Sequence, residues 1–159
     1  GASLVLFFLP DPLEALRSWL GLLRPGGRVG ISTFGDFSPA WHEVDAVFRP
    51  YLPPTMADPR TQTAESPFGS DAGVERLFSE AGFESIRTSH LTVEARFDDV
   101  DQWYRWTWSQ GQRRMWGLVP EGERDAVIAE AAKRLEATRD ASGRMGFDQV
   151  IRYTLGTRG

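Results

Sequence analysis

Two histidines and a dense run of aromatic side chains are the residues of this chain with chemistry to offer. His42 follows Trp41 a few residues after the strand pattern that ends at Phe34. An imidazole titrates near neutral pH, so His42 is the candidate for a general base on a hydroxyl or phenol, although a lone histidine on a helix is also an ordinary surface residue. His90, the other histidine, falls in the middle of a strand pattern, where catalysis is harder to place. Trp103, Tyr104, Trp106 and Trp108 crowd into six residues. On a helix Trp103 and Trp106 are neighbours, as are Tyr104 and Trp108, so the aromatics occupy two faces. One face must pack; the other could line a pocket for a flat apolar acceptor, and packing alone would also explain both. Arg113 and Arg114 could meet an acidic substrate or simply be solvated. No His, Asp or Glu spacing suits a metal, no serine-nucleophile motif occurs, and the chain has no cysteine.

The elements that must position these groups alternate in type. Ala2 to Leu9 is almost wholly apolar, the pattern of a strand buried on both faces, and Pro10-Asp11-Pro12 ends it. Leu13, Leu16, Leu20 and Leu23 then form one helical stripe, stopped by Arg24-Pro25-Gly26-Gly27. Arg28 to Phe34 reads as the next strand, so the first 34 residues make a short right-handed crossover in a parallel sheet. A helix is expected over Ala40 to Phe48, and another after Ser70 or Asp71, with Val74, Leu77, Phe78 and Ala81 on one face and Gly82 as its stop. Residues 83–94 read as a strand, Asp99 opens the aromatic helix, a further helix follows Pro120, and Met145 to Leu155 alternates as the last strand.

The string Ser3-Leu4-Val5-Leu6-Phe7-Phe8-Leu9-Pro10-Asp11-Pro12, with Leu22-Leu23-Arg24-Pro25-Gly26-Gly27-Arg28 behind it, resembles the middle of class I S-adenosylmethionine-dependent methyltransferases. In that family a Leu-Pro-Asp-type turn follows the fourth strand, and a Leu-Lys/Arg-Pro-Gly-Gly turn opens the fifth. The resemblance implies an α/β chain, the C-terminal part of a Rossmann-like sheet. It would hold strands like the family's fourth, fifth and sixth, plus an antiparallel seventh inserted between the fifth and sixth. The glycine-rich cofactor loop after the family's first strand, and the acidic residue after its second, have no counterpart in these residues. The implied cofactor is S-adenosylmethionine, touched by Ala2, Ser3 and Leu4. Ligands of open α/β sheets sit beyond the carboxyl ends of parallel strands. That places Phe7, Phe8, Phe34 and Trp41 with Trp103, Trp106 and Trp108 as candidates for the acceptor site; the bland reading of the phenylalanines is core.

The implied activity is methyl transfer to a small-molecule acceptor, as O- or C-methylation. The alternatives are a non-catalytic fragment or an aromatic-lined binding or assembly module that does not hold the cofactor alone. A single domain over 1–159 is expected, with 35–69 and 97–140 as lid or insertion segments. The 41% apolar residues, six Trp and ten Phe can fill a core, and a net charge of −4 with interspersed signs offers no face for nucleic acid. No apolar run is long enough for a membrane span, and no signal peptide opens the chain, so a cytoplasmic place is the default. In the family the strand at Ala2 to Leu6 has neighbours on both sides. With one neighbour missing it becomes an apolar edge, expected to be paired across a homodimer through Ala2 to Leu6, which is the preferred outcome, covered by rearranged segments of its own chain, or frayed.

Overall fold

The computed structural model describes residues 1–53 and 66–159. Four strands form one sheet in the order β1-β2-β4-β3. They are β1 (Ala2–Ser3), β2 (Arg28–Phe37), β3 (Glu84–Phe97) and β4 (Met145–Thr157). The helices are α1 (Pro12–Leu22), α2 (Pro39–Asp45), α3 (Asp71–Glu80), α4 (Val100–Trp108), α5 (Gln112–Trp116) and α6 (Arg124–Glu136). β1 and β2 are parallel, with Ala2 opposite Ile31 and Ser3 opposite Ser32. At the other end of β2 the chain exchanges amides with β4: Gly26 donates to the Arg158 carbonyl and Arg158 to that of Gly27, both at 2.8 Å. Gly35 then lies against Val150, so β4 runs antiparallel to β2. Thr88 meets Thr154 at 3.2 Å and Arg96 donates to the Phe147 carbonyl at 3.0 Å, which makes β3 and β4 antiparallel as well. The last strand is thus inserted between its two antiparallel neighbours, as the resemblance implied.

Local chemistry sets the helix boundaries. The Asp11 carboxylate accepts from the Glu14 amide at 2.9 Å with Pro12 at the first helical position, and Ser38 and Ser70 cap α2 and α3 in the same way. Gly82, at φ +95°, provides the left-handed residue that stops α3.

The first strand is shorter than its apolar pattern predicts. β1 holds two residues; Leu4 then turns at φ +52°, and Leu6–Phe8 is a 3₁₀ turn. A left-handed leucine costs about 1–2 kcal/mol. The corner drops Leu6 to 0% exposure in the core, and burying a leucine returns about 1.5–3 kcal/mol. The edge strand is therefore the two residues Ala2–Ser3 rather than the five expected at Ala2 to Leu6. The sequence also gives no warning of α5, a single charged turn at Gln112–Trp116.

The chain divides into two compact units. The first comprises Gly1–Asp36, Ala57–Val93 and Val150–Gly159; the second comprises Phe37–Met56 and Glu94–Gln149. In the first unit Val29 and Ile31 of β2 pack with Leu16 of α1 and with Val74, Leu77 and Phe78 of α3. The alternate positions Gly30 and Ser32 face the opposite way, toward Leu155. In the second unit Trp41, Phe48, Phe97, Trp103, Trp116 and Phe147 form the centre of a separate core.

Candidate functional site

Among the described residues of the first unit, two cavities border β2. One is a groove of about 630 Å³ over Ser3, Gly30, Ser32, Tyr153 and Leu155. Its floor is open because β2 carries small residues there, and the Ser3 and Ser32 hydroxyls meet at 2.9 Å beside it. Ala2, Ser3 and Leu4 lie at this carboxyl end of β1, where Leu4 holds its left-handed turn and its amide donates to the Ser32 carbonyl at 3.0 Å. A backbone outlier at the end of a parallel strand is a reason to suspect a ligand. As a seat for S-adenosylmethionine the fit is incomplete. The Glu14 amide is met by Asp11 and Pro12 brings no N–H, so the start of α1 keeps little of a cradle for a ligand. The described residues supply one flank of a cofactor site at most.

The aromatics proposed for an acceptor fall into two groups. Phe7 contacts Phe8, Phe34 and Phe68, with ring centroids 4.6, 5.5 and 6.2 Å away. Phe7 and Phe34 are half-buried, while Phe8 is 60% exposed. Trp41, Trp103, Trp106 and Trp108 all belong to the second unit. Trp103 is 0% exposed at its centre. Trp106 packs on Trp41, Phe97 and Phe147, and Trp108 stacks on Trp116 at an interplanar angle of 10°; both are half-buried. The indole of Trp116 donates to Thr107 Oγ1 at 2.8 Å, which fixes α5 on α4. His42 is exposed on α2 with its ring 5.9 Å from that of Phe37.

A second cavity, of about 520 Å³, borders the carboxyl-terminal part of β2 at Gly35 and Asp36. Its wall is a polar cluster that sequence reasoning did not assemble. Arg152 of β4 has a side chain only 5% exposed, and its Nε donates to Asp71 Oδ1 at 2.6 Å. Its Nη1 donates to the carbonyls of Phe34 at 3.1 Å and Phe68 at 2.9 Å. His90 Nε2 lies 3.0 Å from the same Asp71 oxygen. Partial burial would push the Asp71 carboxyl up, but the hydrogen bonds from Arg152 and His90, with the charge of the Arg152 guanidinium, outweigh it and hold the group below its ordinary value. Asp71 is legible only as the first residue of a helix, His90 only as mid-strand. Arg152, a charge between Ile151 and Tyr153 in a buried strand, was the available signal. Among the described residues no three His, Cys, Asp or Glu groups converge to hold a metal, and no helix is long and apolar enough to cross a membrane.

No protein-family model matches the chain. The chain is 29% identical over 165 aligned residues, 98% of its own length, to nocamycin O-methyltransferase of Saccharothrix syringae, and spans 59% of that protein. Among solved structures it is similar to phosphoethanolamine N-methyltransferase 2 of Haemonchus contortus in complex with phosphomonomethylethanolamine and S-adenosylhomocysteine. That likeness has 12% identity and a TM-score of 0.42, over 98% of this chain and 32% of that one. A Bacillus halodurans protein with a provisional methyltransferase assignment has 10% identity and a TM-score of 0.47, over 98% of this chain and 62% of that one. The resemblance first carried by residues 3–12 and 22–28 thus extends, in sequence, across nearly the whole chain.

Proposed function

We propose that these residues form the C-terminal part of a cytoplasmic S-adenosylmethionine-dependent methyltransferase acting on a hydroxyl of a small molecule. The observation that carries this reading is the alignment with an O-methyltransferase over 98% of the chain. The strand order, with β4 inserted between β2 and β3, supports it from the fold. The donor brings an activated methyl group, so what the protein must add is chiefly positioning of the acceptor. Phe7, Phe8 and Phe34 offer an apolar contact surface for that acceptor. Residues 97–140 fall wholly within the second unit, which supports reading them as an inserted segment.

Calorimetric titration with S-adenosylhomocysteine tests the division of labour. The 159-residue chain, with one flank of the site, lacks several hydrogen bonds of about 0.5–3 kcal/mol each and should bind orders of magnitude more weakly than a polypeptide that joins it to a glycine-rich-loop half. A micromolar Kd for the chain alone would overturn this reading.

A further inference from the structure

We propose that the cavity bounded by Asp36, Asp71, His90, Thr92 and Arg152 is a binding subsite for a neutral polyhydroxylated small molecule, with His90 Nδ1 accepting a hydrogen bond from one of its hydroxyls. Ionised Asp71 can only accept, so at its 3.0 Å contact the proton must sit on His90 Nε2. Nδ1 is then left with a lone pair, and among the described residues it has no hydrogen-bond partner. Thr88 and Thr154 pair across β3 and β4 at 3.2 Å, and two residues further along the same face His90 and Arg152 stand opposite each other. Asp71, at the start of α3, takes a hydrogen bond from both. Arg152 is itself fixed by the Phe34 and Phe68 carbonyls, so the ring is oriented by a chain of contacts that ends in two backbone groups. Asp71 and Arg152 are positioning residues in this arrangement.

The charges select the ligand class. Arg152 already serves three acceptors and is 5% exposed, while Asp36 and Asp71 bring two carboxylates against that one guanidinium. An anion would meet net negative charge. Hydroxyls suit the wall better: they can donate to His90 Nδ1 and Asp36, and exchange hydrogen bonds with Thr92. The volume of about 520 Å³ is within the range of small-molecule pockets. The location alongside the carboxyl end of β2 is where ligands of open α/β sheets bind. The choice of a hydroxylated ligand rests on the methyl-transfer reading above; the test does not, because it contains no methyl donor.

The experiment is an NMR titration of the ¹⁵N-labelled 159-residue chain with sorbitol and, separately, with inorganic phosphate. The ring nitrogens of His90 and the amides of Thr92 and Asp71 are followed. Saturable shifts at these positions with sorbitol and not with phosphate are expected, and H90A should weaken sorbitol binding by about three- to tenfold. In the ligand-free chain the ring nitrogens should report the Nε2-protonated tautomer, and D71N should erase that preference. The proposal is overturned if sorbitol gives no saturable shift, if phosphate binds at least as well, or if sorbitol binding is undiminished in a folded H90A or H90Q chain.

Discussion

The two units spend their unusual residues in opposite ways. The second gathers most of the tryptophans into a core in which rings meet edge-on or stacked, and Trp103 and Trp116 are wholly buried there. The first sets a buried arginine, a carboxylate and a histidine around a cavity. Aromatic density in a sequence is therefore a poor guide to which side chains meet a ligand, because the same rings that could line a pocket also fill a core. Three polar residues separated by 19 and 62 positions make no motif, yet two of them converge on one oxygen of the third.

The largest effect that can break this contrast is expected from Trp103→Ala. If the ring is core, its removal should cost about 3–5 kcal/mol, read from urea denaturation. Trp108→Ala, at a half-buried position, should cost clearly less. A loss under about 1 kcal/mol for Trp103→Ala would remove the packing role assigned to the aromatic helix.

Arg152→Met comes next. It deletes the hydrogen bond to Asp71 and those to two carbonyls, and charged hydrogen bonds are worth about 1.5–3 kcal/mol each. Because Asp71 keeps 44% side-chain exposure, water replaces part of what is lost, so the expected total is about 2 kcal/mol rather than the sum. Unchanged stability would show that the arginine fixes nothing.

The smallest effect is acid sensitivity. The carboxyl of Asp71 titrates below its ordinary value in the folded chain, so it contributes stability that is present above the unfolded pKa, about 4, and is lost as pH falls through the folded one. D71N should flatten the acid limb of a stability-against-pH curve over that window. An acid limb identical in D71N and the parent chain would contradict the Asp71 contacts.

Much of the fold was legible because it follows local rules. The leucine stripe of α1, the serine and aspartate caps, and the Pro-Gly-Gly turn each report their own conformation, whereas the strand order came only as what the family resemblance implied. Failures came where tertiary burial decided. Nothing in Leu4 to Leu9 distinguishes a strand buried on both faces from a left-handed corner that delivers Leu6 to the core. The aromatic run was visible, but which of its rings turn inward depends on α5, a turn too short and too charged to announce itself. The Asp71–His90–Arg152 cluster lay beyond reach, since only the antiparallel register of β3 and β4 places His90 opposite Arg152.

Transfer of labelled methyl tests the central claim most directly. A polypeptide that joins these 159 residues to a glycine-rich-loop half is incubated with S-adenosyl-[methyl-³H]methionine and hydroxylated small molecules. The expected result is label in a stable methyl ether on one of those acceptors, with one S-adenosylhomocysteine formed per ether. A folded polypeptide that binds S-adenosylhomocysteine but leaves every hydroxyl unlabelled would contradict O-methyl transfer as the function of this chain.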